Sequence, residues 1–338
     1  MRRSAICPAI ALLATLAALP GCLPSRVTID LQERNTDLQS TTVLADPGVT
    51  DKGAAIALID LTGVISSAPG GGIIGGAPST LDTIIARLRA AERDGARAVL
   101  LRINSPGGTV AASETLADEI ADFRRRTSIP VVASIADVGA SGGYYVALAC
   151  DAIYCQPSSI TGSVGVIVQT FNVSGAMQRW GVQGRAVTSK PNKDIANPFE
   201  PPVEDHYAIL QGLVDGFYDD FRTRVRGARP TLADDPDDFA LATDGRVFTG
   251  RQAFELGLVD GLGTLRDAFD EAKRRAGLPA ARLIKYHADG NPPASPYSLA
   301  GTPDASAQAH PLVQIHIDGA ALATPGFYYL WAPGVVAP

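Results

Sequence analysis

An α/β fold of parallel strands joined by crossover helices is what this sequence predicts, and three observations carry the prediction. Apolar strand-like runs alternate with amphipathic helix-like runs from Ala54 onward. They recur in the order strand, helix, strand, which favours parallel pairing with right-handed crossovers. Two glycine turns, NSPGG at 104–108 and GASGG at 139–143, stand where strands should end. In open α/β sheets functional groups collect at the carboxyl ends of the strands.

The first residues stand apart from that fold. Arg2 and Arg3 precede an apolar stretch from Ile6 to Leu19, and LPGC follows, ending at Cys22, the pattern of an export signal. The stretch is shorter than the ~20 residues a membrane span needs. Leu19, Gly21 and Cys22 resemble the lipobox of bacterial lipoproteins. That resemblance implies cleavage before Cys22, acylation of its sulfur, and a membrane-anchored lipoprotein facing the periplasm or the cell exterior. A plain secretory signal cut nearby is the alternative. Residues 1–21 are therefore expected to be signal, and the polar residues 22–53 a tether.

Within the body, AAIALIDLTGVI reads as a buried strand, TLDTIIARLRAAERDG as an amphipathic helix stopped at Gly95, and ARAVLLRIN as a strand ending at SPGG. A helix from about Val110 to Arg126 follows, then a strand PVVASIA from Pro130, a helix behind Ser141, and a short strand AIYCQ. Residues 203–227 read as one long helix, and 244–277 as turn, helix, turn, helix. Residues 54–280 are expected to form one domain, with enough chain for a full core. Val64 to Pro78, with five glycines around two isoleucines, reads either as a mobile apolar cover for a greasy groove or as an ordinary surface loop. Residues 281–338 form an extension of unassigned structure. Its closing GFYYLWAP is either a flexible tail or an arm that docks its aromatics.

Composition narrows the function. Loss of Arg2 and Arg3 with the signal takes the formal charge from −6 to −8. An acidic chain without a basic run argues against nucleic acid as a partner, because phosphate binding needs clustered Lys and Arg. Cys150 and Cys155 are the thiols left in the body, either a local disulfide or two buried thiols. His206, His287, His310 and His316 have no zinc-type spacing with them, so no metal or other cofactor is expected.

Ser141 lies between a strand and a helix, with glycines on both sides. Free N–H groups at a helix start favour a developing negative charge, and Gly142 and Gly143 let a substrate backbone approach. A helix-capping serine would look the same locally. The NSPGG turn ends the preceding strand, so Gly107 and Gly108, with Gly142 at the helix start, are candidate main-chain donors of an oxyanion hole. A serine hydroxyl needs a base, and no histidine lies between Ser141 and His206. The chain has five lysines, Lys52, Lys190, Lys193, Lys273 and Lys285, against 24 arginines, which makes the lysine pair in TSKPNKDIANPF unusual. A lysine acts as base where burial disfavours its charged form.

INSPGG, GASGGYY, ITGSVGVI, SKPNKD and GRVFTGRQAFELGLVDGLG, in this order, resemble the signal peptide peptidase A family, bacterial serine peptidases with a Clp protease/crotonase-like core. The resemblance covers roughly residues 54–275. It implies Ser141 as nucleophile, Lys193 rather than Lys190 as general base, Ser163 as the residue that orients the lysine, and Gly108 as an oxyanion donor. It also implies apolar peptide substrates such as released signal peptides, and a homo-oligomeric ring in which adjacent subunits supply serine and lysine. Tyr144 and Tyr145 read as packing beneath the nucleophile. The chain departs from relatives that carry a membrane helix at the N-terminus.

Two rival classes remain at this stage. GASGG also satisfies the G-x-S-x-G pattern of α/β-hydrolase esterases, with Asp260 and His287 following in the required order, although no HGGG-type segment lies upstream. A catalytically inactive, lipid-anchored scaffold on the same core is the other. An acyl-CoA enzyme fits poorly with export.

Overall fold

The computed structural model describes residues 38–69, 78–288, 292–298 and 326–331. The expected signal, the expected lipidation site Cys22 and the first part of the tether lie outside the described residues, as do residues 70–77 of the glycine-rich loop.

The chain begins with β1 (Gln39–Ala45) and β2 (Ala55–Thr62), followed by α1 (Thr80–Arg93), β3 (Ala98–Ser105) and β4 (Gly107–Thr109). Then come α2 (Val110–Thr127), β5 (Val131–Ala140), α3 (Gly142–Ala147), β6 (Ala152–Cys155), β7 (Ile160–Gly162) and β8 (Ile167–Val168). Ser79 caps α1 by accepting the Asp82 amide, and Thr109 caps α2 by accepting that of Ala112, each satisfying a donor that the first turn leaves free. Past Arg93, Gly95 takes φ +69°, a left-handed turn that a glycine makes at no steric cost.

The main sheet runs β1, β11, β2, β3, β5, β6, β10, where β10 is Gly261–Leu262 and β11 is Arg282–His287. From β11 to β10 every neighbouring pair is parallel, and β1 adds antiparallel at one edge. β7 continues parallel from the end of β5 and pairs antiparallel with β9 (Val247–Thr249). The α/β architecture with parallel strands and crossover helices is thus the one expected for a Clp protease/crotonase-like core.

Alternation places successive residues of each strand on opposite faces. Ala57, Ile59 and Leu61 of β2 pack with Val99 and Leu101 of β3 against α1 and α2. Ile56, Leu58, Leu100 and Val132 face the other way, onto Leu265, Phe269 and Ala272 of α9 (Leu265–Arg275). A sheet covered on both faces explains why its strands read as continuous apolar runs rather than alternating ones. The long helix α5 (Glu204–Ala228) packs Phe221 and Val225 on the first cluster, and α6 (Pro230–Ala233), α7 (Pro236–Ala242) and α8 (Gly250–Glu255) close that side. In the described residues no helix is long and apolar enough to cross a membrane.

Two boundaries differ from the sequence expectation. The tether does not run to residue 53, because Gln39–Ala45 is an edge strand, and the extension does not begin at 281, because Arg282–His287 is inserted between β1 and β2. β1 is polar and partly exposed, as an edge strand with one covered face should be. The pairing of β11 with β2 and β1 joins parts of the chain more than 200 positions apart, which no local pattern records.

The glycine-rich loop also differs where it is described. Ile65 is fully buried and bridges Gly108, giving its N–H to the Gly107 carbonyl at 2.9 Å and accepting the Thr109 amide at 3.0 Å. That part is a short strand partner rather than a mobile cover. The docking arm, of the two readings of GFYYLWAP, is the one found: β12 (Phe327–Leu330) lies between β4 and β8 in a second, three-stranded sheet.

Candidate active site

Ser141 sits where β5 ends and α3 begins, with φ 52° and ψ −116°, a conformation that costs a non-glycine residue energy and is held only by its surroundings. Its N–H donates to the Gly162 carbonyl of β7 at 2.8 Å, and its carbonyl accepts the Tyr145 amide. Its hydroxyl makes no capping bond to α3 and instead lies 3.5 Å from the Gly165 carbonyl. The capping reading of this serine therefore fails, and the hydroxyl remains available. The helix behind it has only six residues, too short for a substantial dipole, so charge at this point is met by individual N–H groups.

β7 pairs with the end of β5, Ala140 opposite Gly162, so the next residues on each strand, Ser141 and Ser163, are neighbours. Ser163 also has positive φ, 52°, and its N–H donates to the Arg246 carbonyl at 2.7 Å. The two hydroxyl-bearing residues, 22 positions apart in the chain, are thus placed side by side by parallel register.

The PGG turn lies on the other side. Gly107 has φ +112°, which only glycine adopts without strain. Its N–H is already given to the Ser105 hydroxyl at 3.1 Å, so Gly107 is not a free oxyanion donor, a correction to the sequence expectation. What matters is its missing Cβ, because one built there would collide with the Tyr329 carbonyl oxygen and stand 2.8 Å from the Gly142 nitrogen. Gly108 differs. The bridge to Ile65 uses the flanking Gly107 carbonyl and Thr109 amide, which leaves the Gly108 N–H pointing away from Ile65, toward β12. Gly142 closes the same corner: a Cβ on it would be 3.0 Å from the Gly108 nitrogen and 3.1 Å from the Tyr329 carbonyl oxygen.

Lys193 is not brought to this corner by its own chain. It lies in an exposed 3-10 turn, Pro191–Asp194, between α4 (Ser174–Arg179) and α5, and its backbone N–H donates to Lys190 at 3.1 Å. Lys190 is exposed too. Among the described residues no hydrogen bond joins either amine to Ser141. The segment around Lys193 exposes apolar side chains: Trp180 is 84% accessible, Val187 97% and Phe199 53%.

The esterase triad is excluded by topology. Asp260 precedes β10 at one end of the main sheet, where it accepts the Ile153 amide and pairs with Arg229 at 2.7 Å. His287 ends β11 near the opposite edge, with its ring bonded to Thr41 and to the Ala288 carbonyl. β2, β3, β5 and β6 lie between them. Tyr144 is packing, as expected: it is fully buried, donates to the Leu258 carbonyl at 2.7 Å, and burial pushes its pKa up to about 12. Tyr145 packs as well, its ring against Tyr329 and Phe221. Cys150 and Cys155 are free thiols.

These features match a known family. A family model described as Peptidase family S49 matches residues 123–279. A Synechocystis sp. protein named as a protease is 37% identical over 232 residues, covering 69% of this chain and 78% of its own length. The chain belongs to peptidase family S49. An Enterococcus faecium protein named as a signal peptide peptidase SppA is 34% identical over 206 residues, 61% of this chain and 59% of that one. Protease 4 of Salmonella typhi is 34% identical over 242 residues, 70% of this chain and 37% of its own length. This S49 chain thus spans little more than half of the first of these two relatives and about a third of the second. S49 membership makes it a serine peptidase. Sequence reasoning had passed over the aromatic pocket around Tyr145, although Phe217 and Phe221, at i and i+4 on one predicted helix, were its available signal.

Proposed function

We propose that this S49 chain is a membrane-tethered endopeptidase of the signal peptide peptidase A type, exported and held by lipid on Cys22, that degrades apolar peptides such as released signal peptides. Ser141 is the nucleophile and Lys193 the general base, supplied by the adjacent subunit of a homo-oligomeric ring. The neutral amine of Lys193 takes the hydroxyl proton, and the Ser141 oxygen attacks the substrate carbonyl. The amides of Gly108 and Gly142 receive the oxyanion. The leaving amine departs with a proton, and water then clears the acyl-enzyme. Ser163, beside Ser141, orients the incoming lysine.

One observation carries this reading. The Ser141 hydroxyl is released from capping at a strained backbone position, and the residue after it, Gly142, packs against the Gly108 nitrogen. The apolar surface on the segment that carries Lys193 supports the ring, because exposed Trp180, Val187 and Phe199 are suited to burial against a neighbouring copy. A purified mature chain should cleave apolar peptides and react with a serine-directed fluorophosphonate at Ser141, whereas Ser141→Ala and Lys193→Ala chains, folded as judged by circular dichroism, should not cleave. A wild-type chain that stays unlabelled and leaves such peptides intact would be a scaffold, and the reading would be wrong.

A further inference from the structure

The cleft beside Ser141 is already filled by the chain itself. β12 runs antiparallel to β4, with Tyr328 opposite Thr109, Tyr329 opposite Gly108 and Leu330 opposite Gly107, and it also pairs antiparallel with β8 through Phe327 and Tyr328. The Trp331 amide donates to the Pro106 carbonyl at 2.8 Å. In an antiparallel ladder bonded pairs alternate, so that bond fixes the phase: the Gly108 N–H meets the carbonyl of Tyr329. The same oxygen lies against Gly107 and Gly142, close enough that a Cβ on either would crowd it. A backbone carbonyl thus lies in the corner formed by Gly107, Gly108 and Gly142, next to the residue that follows Ser141.

The Tyr329 side chain makes the resemblance to a bound peptide more specific. It is fully buried. Its ring stacks on Tyr145 at 5.1 Å between centroids, meets Phe221 at 4.8 Å, and donates its hydroxyl to the Phe217 carbonyl at 3.1 Å. Aromatic contacts of this kind add to the free energy of burial itself, and a carbonyl at the pocket floor rewards a phenolic hydroxyl.

We infer that residues 326–331 occupy the peptide-binding cleft in the manner of a substrate, with Tyr329 as the residue before the bond to be cut, and that the cleft therefore selects an aromatic residue at that position and is held closed by this segment. The inference rests on the peptidase reading above and adds its specificity and its restraint. Tethering gives the segment a high effective concentration, so free peptides must displace it. Apparent affinity falls in proportion to the fraction of chains whose cleft is open.

The test uses the full mature chain with wild-type sequence, with Tyr329→Ala and with Tyr329→Phe. Tyr329→Ala should react with a fluorophosphonate at Ser141 about tenfold faster than wild type and show a correspondingly lower KM for added peptides. Tyr329→Phe, which keeps the ring and loses only the bond to the Phe217 carbonyl, should lie much closer to wild type than Tyr329→Ala. A synthetic peptide GFYYLW, added in excess, should slow the Tyr329→Ala chain again, while GFYALW should not. Peptides cut by the Tyr329→Ala chain should carry Tyr or Phe at their new carboxyl ends. Equal labelling rates in wild type and Tyr329→Ala, or cleavage without aromatic preference, would overturn the inference while leaving the peptidase intact. Absence of labelling in all three chains would instead overturn the peptidase reading beneath it.

Discussion

Asp60 on β2 and Lys285 on β11 form an ion pair inside the protein, 2.5 Å apart with side chains 4% and 1% exposed. Arg102 of β3 contacts the other oxygen of Asp60 at 2.7 Å, and Arg87 of α1 donates to the main-chain carbonyl of Asp60 at 3.5 Å. Burial lowers the Lys285 pKa, while Asp60 acts to raise it. Lys285 and Arg102 also donate to the carbonyl of Pro296. One carboxylate therefore compensates several buried cations, and the two partners are not equivalent. Asp60→Asn should cost roughly 3–5 kcal/mol, because it leaves cations unpaired in the interior. Lys285→Met should cost distinctly less, since Arg102 still pairs with Asp60. Urea unfolding midpoints of the two variants decide the order, and equal midpoints would contradict it.

Ser141 and Lys193 are not joined within one chain, so the dyad predicts complementation. Ser141→Ala and Lys193→Ala chains should each be inactive alone. After mixing, dissociation and reassembly they should recover activity on the order of a quarter of wild type, because a random ring pairs an intact serine with an intact neighbouring lysine at that frequency. Peptide hydrolysis by the mixture reads the result, and a mixture as inactive as its parts would place the lysine elsewhere.

Gly142 predicts a kinetic effect separable from folding. A Cβ there presses on the Ser113 hydroxyl and on the space where Gly108 and the bound carbonyl meet. Gly142→Ala should lower kcat by roughly 10²-fold, the scale of losing one oxyanion donor, while KM changes little. A large rise in KM with kcat intact would show that Gly142 shapes binding and not the transition state.

Cys155 predicts a pH effect. It is fully buried at the end of β6, and burial pushes its thiol up from 9.0 to about 11. In the folded chain it should resist iodoacetamide at pH 8.5, and it should react once urea unfolds the protein, as peptide mapping would show. Because the folded pKa is raised, the contribution of this group to stability is complete below about pH 9 and is lost as pH rises through about 11. Cys155→Ala should flatten the alkaline limb of the stability curve between those values.

The strands β2, β3, β5 and β6 and the helices between them were legible because each carries its own apolar pattern and its own stop, as in Ser79 before α1 and Gly95 after it; β4 was read as a turn. Ser141 was legible as a nucleophile or a cap, and its released hydroxyl and backbone geometry removed the cap. Gly107 could not be separated from Gly108 by sequence, since both are glycines in one turn; only the Ser105 hydroxyl, which holds the Gly107 amide, distinguishes them.

By itself, the sequence determined the order of elements, the two glycine turns at strand ends and the chemistry available there, because these depend on neighbours along the chain. The tertiary structure decided that β11 enters the sheet between β1 and β2, that Ser163 stands beside Ser141, and that β12 lies between β4 and β8 with Tyr329 packed against Tyr145 and Phe221. Those pairings join residues that local pattern treats as unrelated, and they form because buried backbone groups and apolar faces must find partners wherever the chain can supply them.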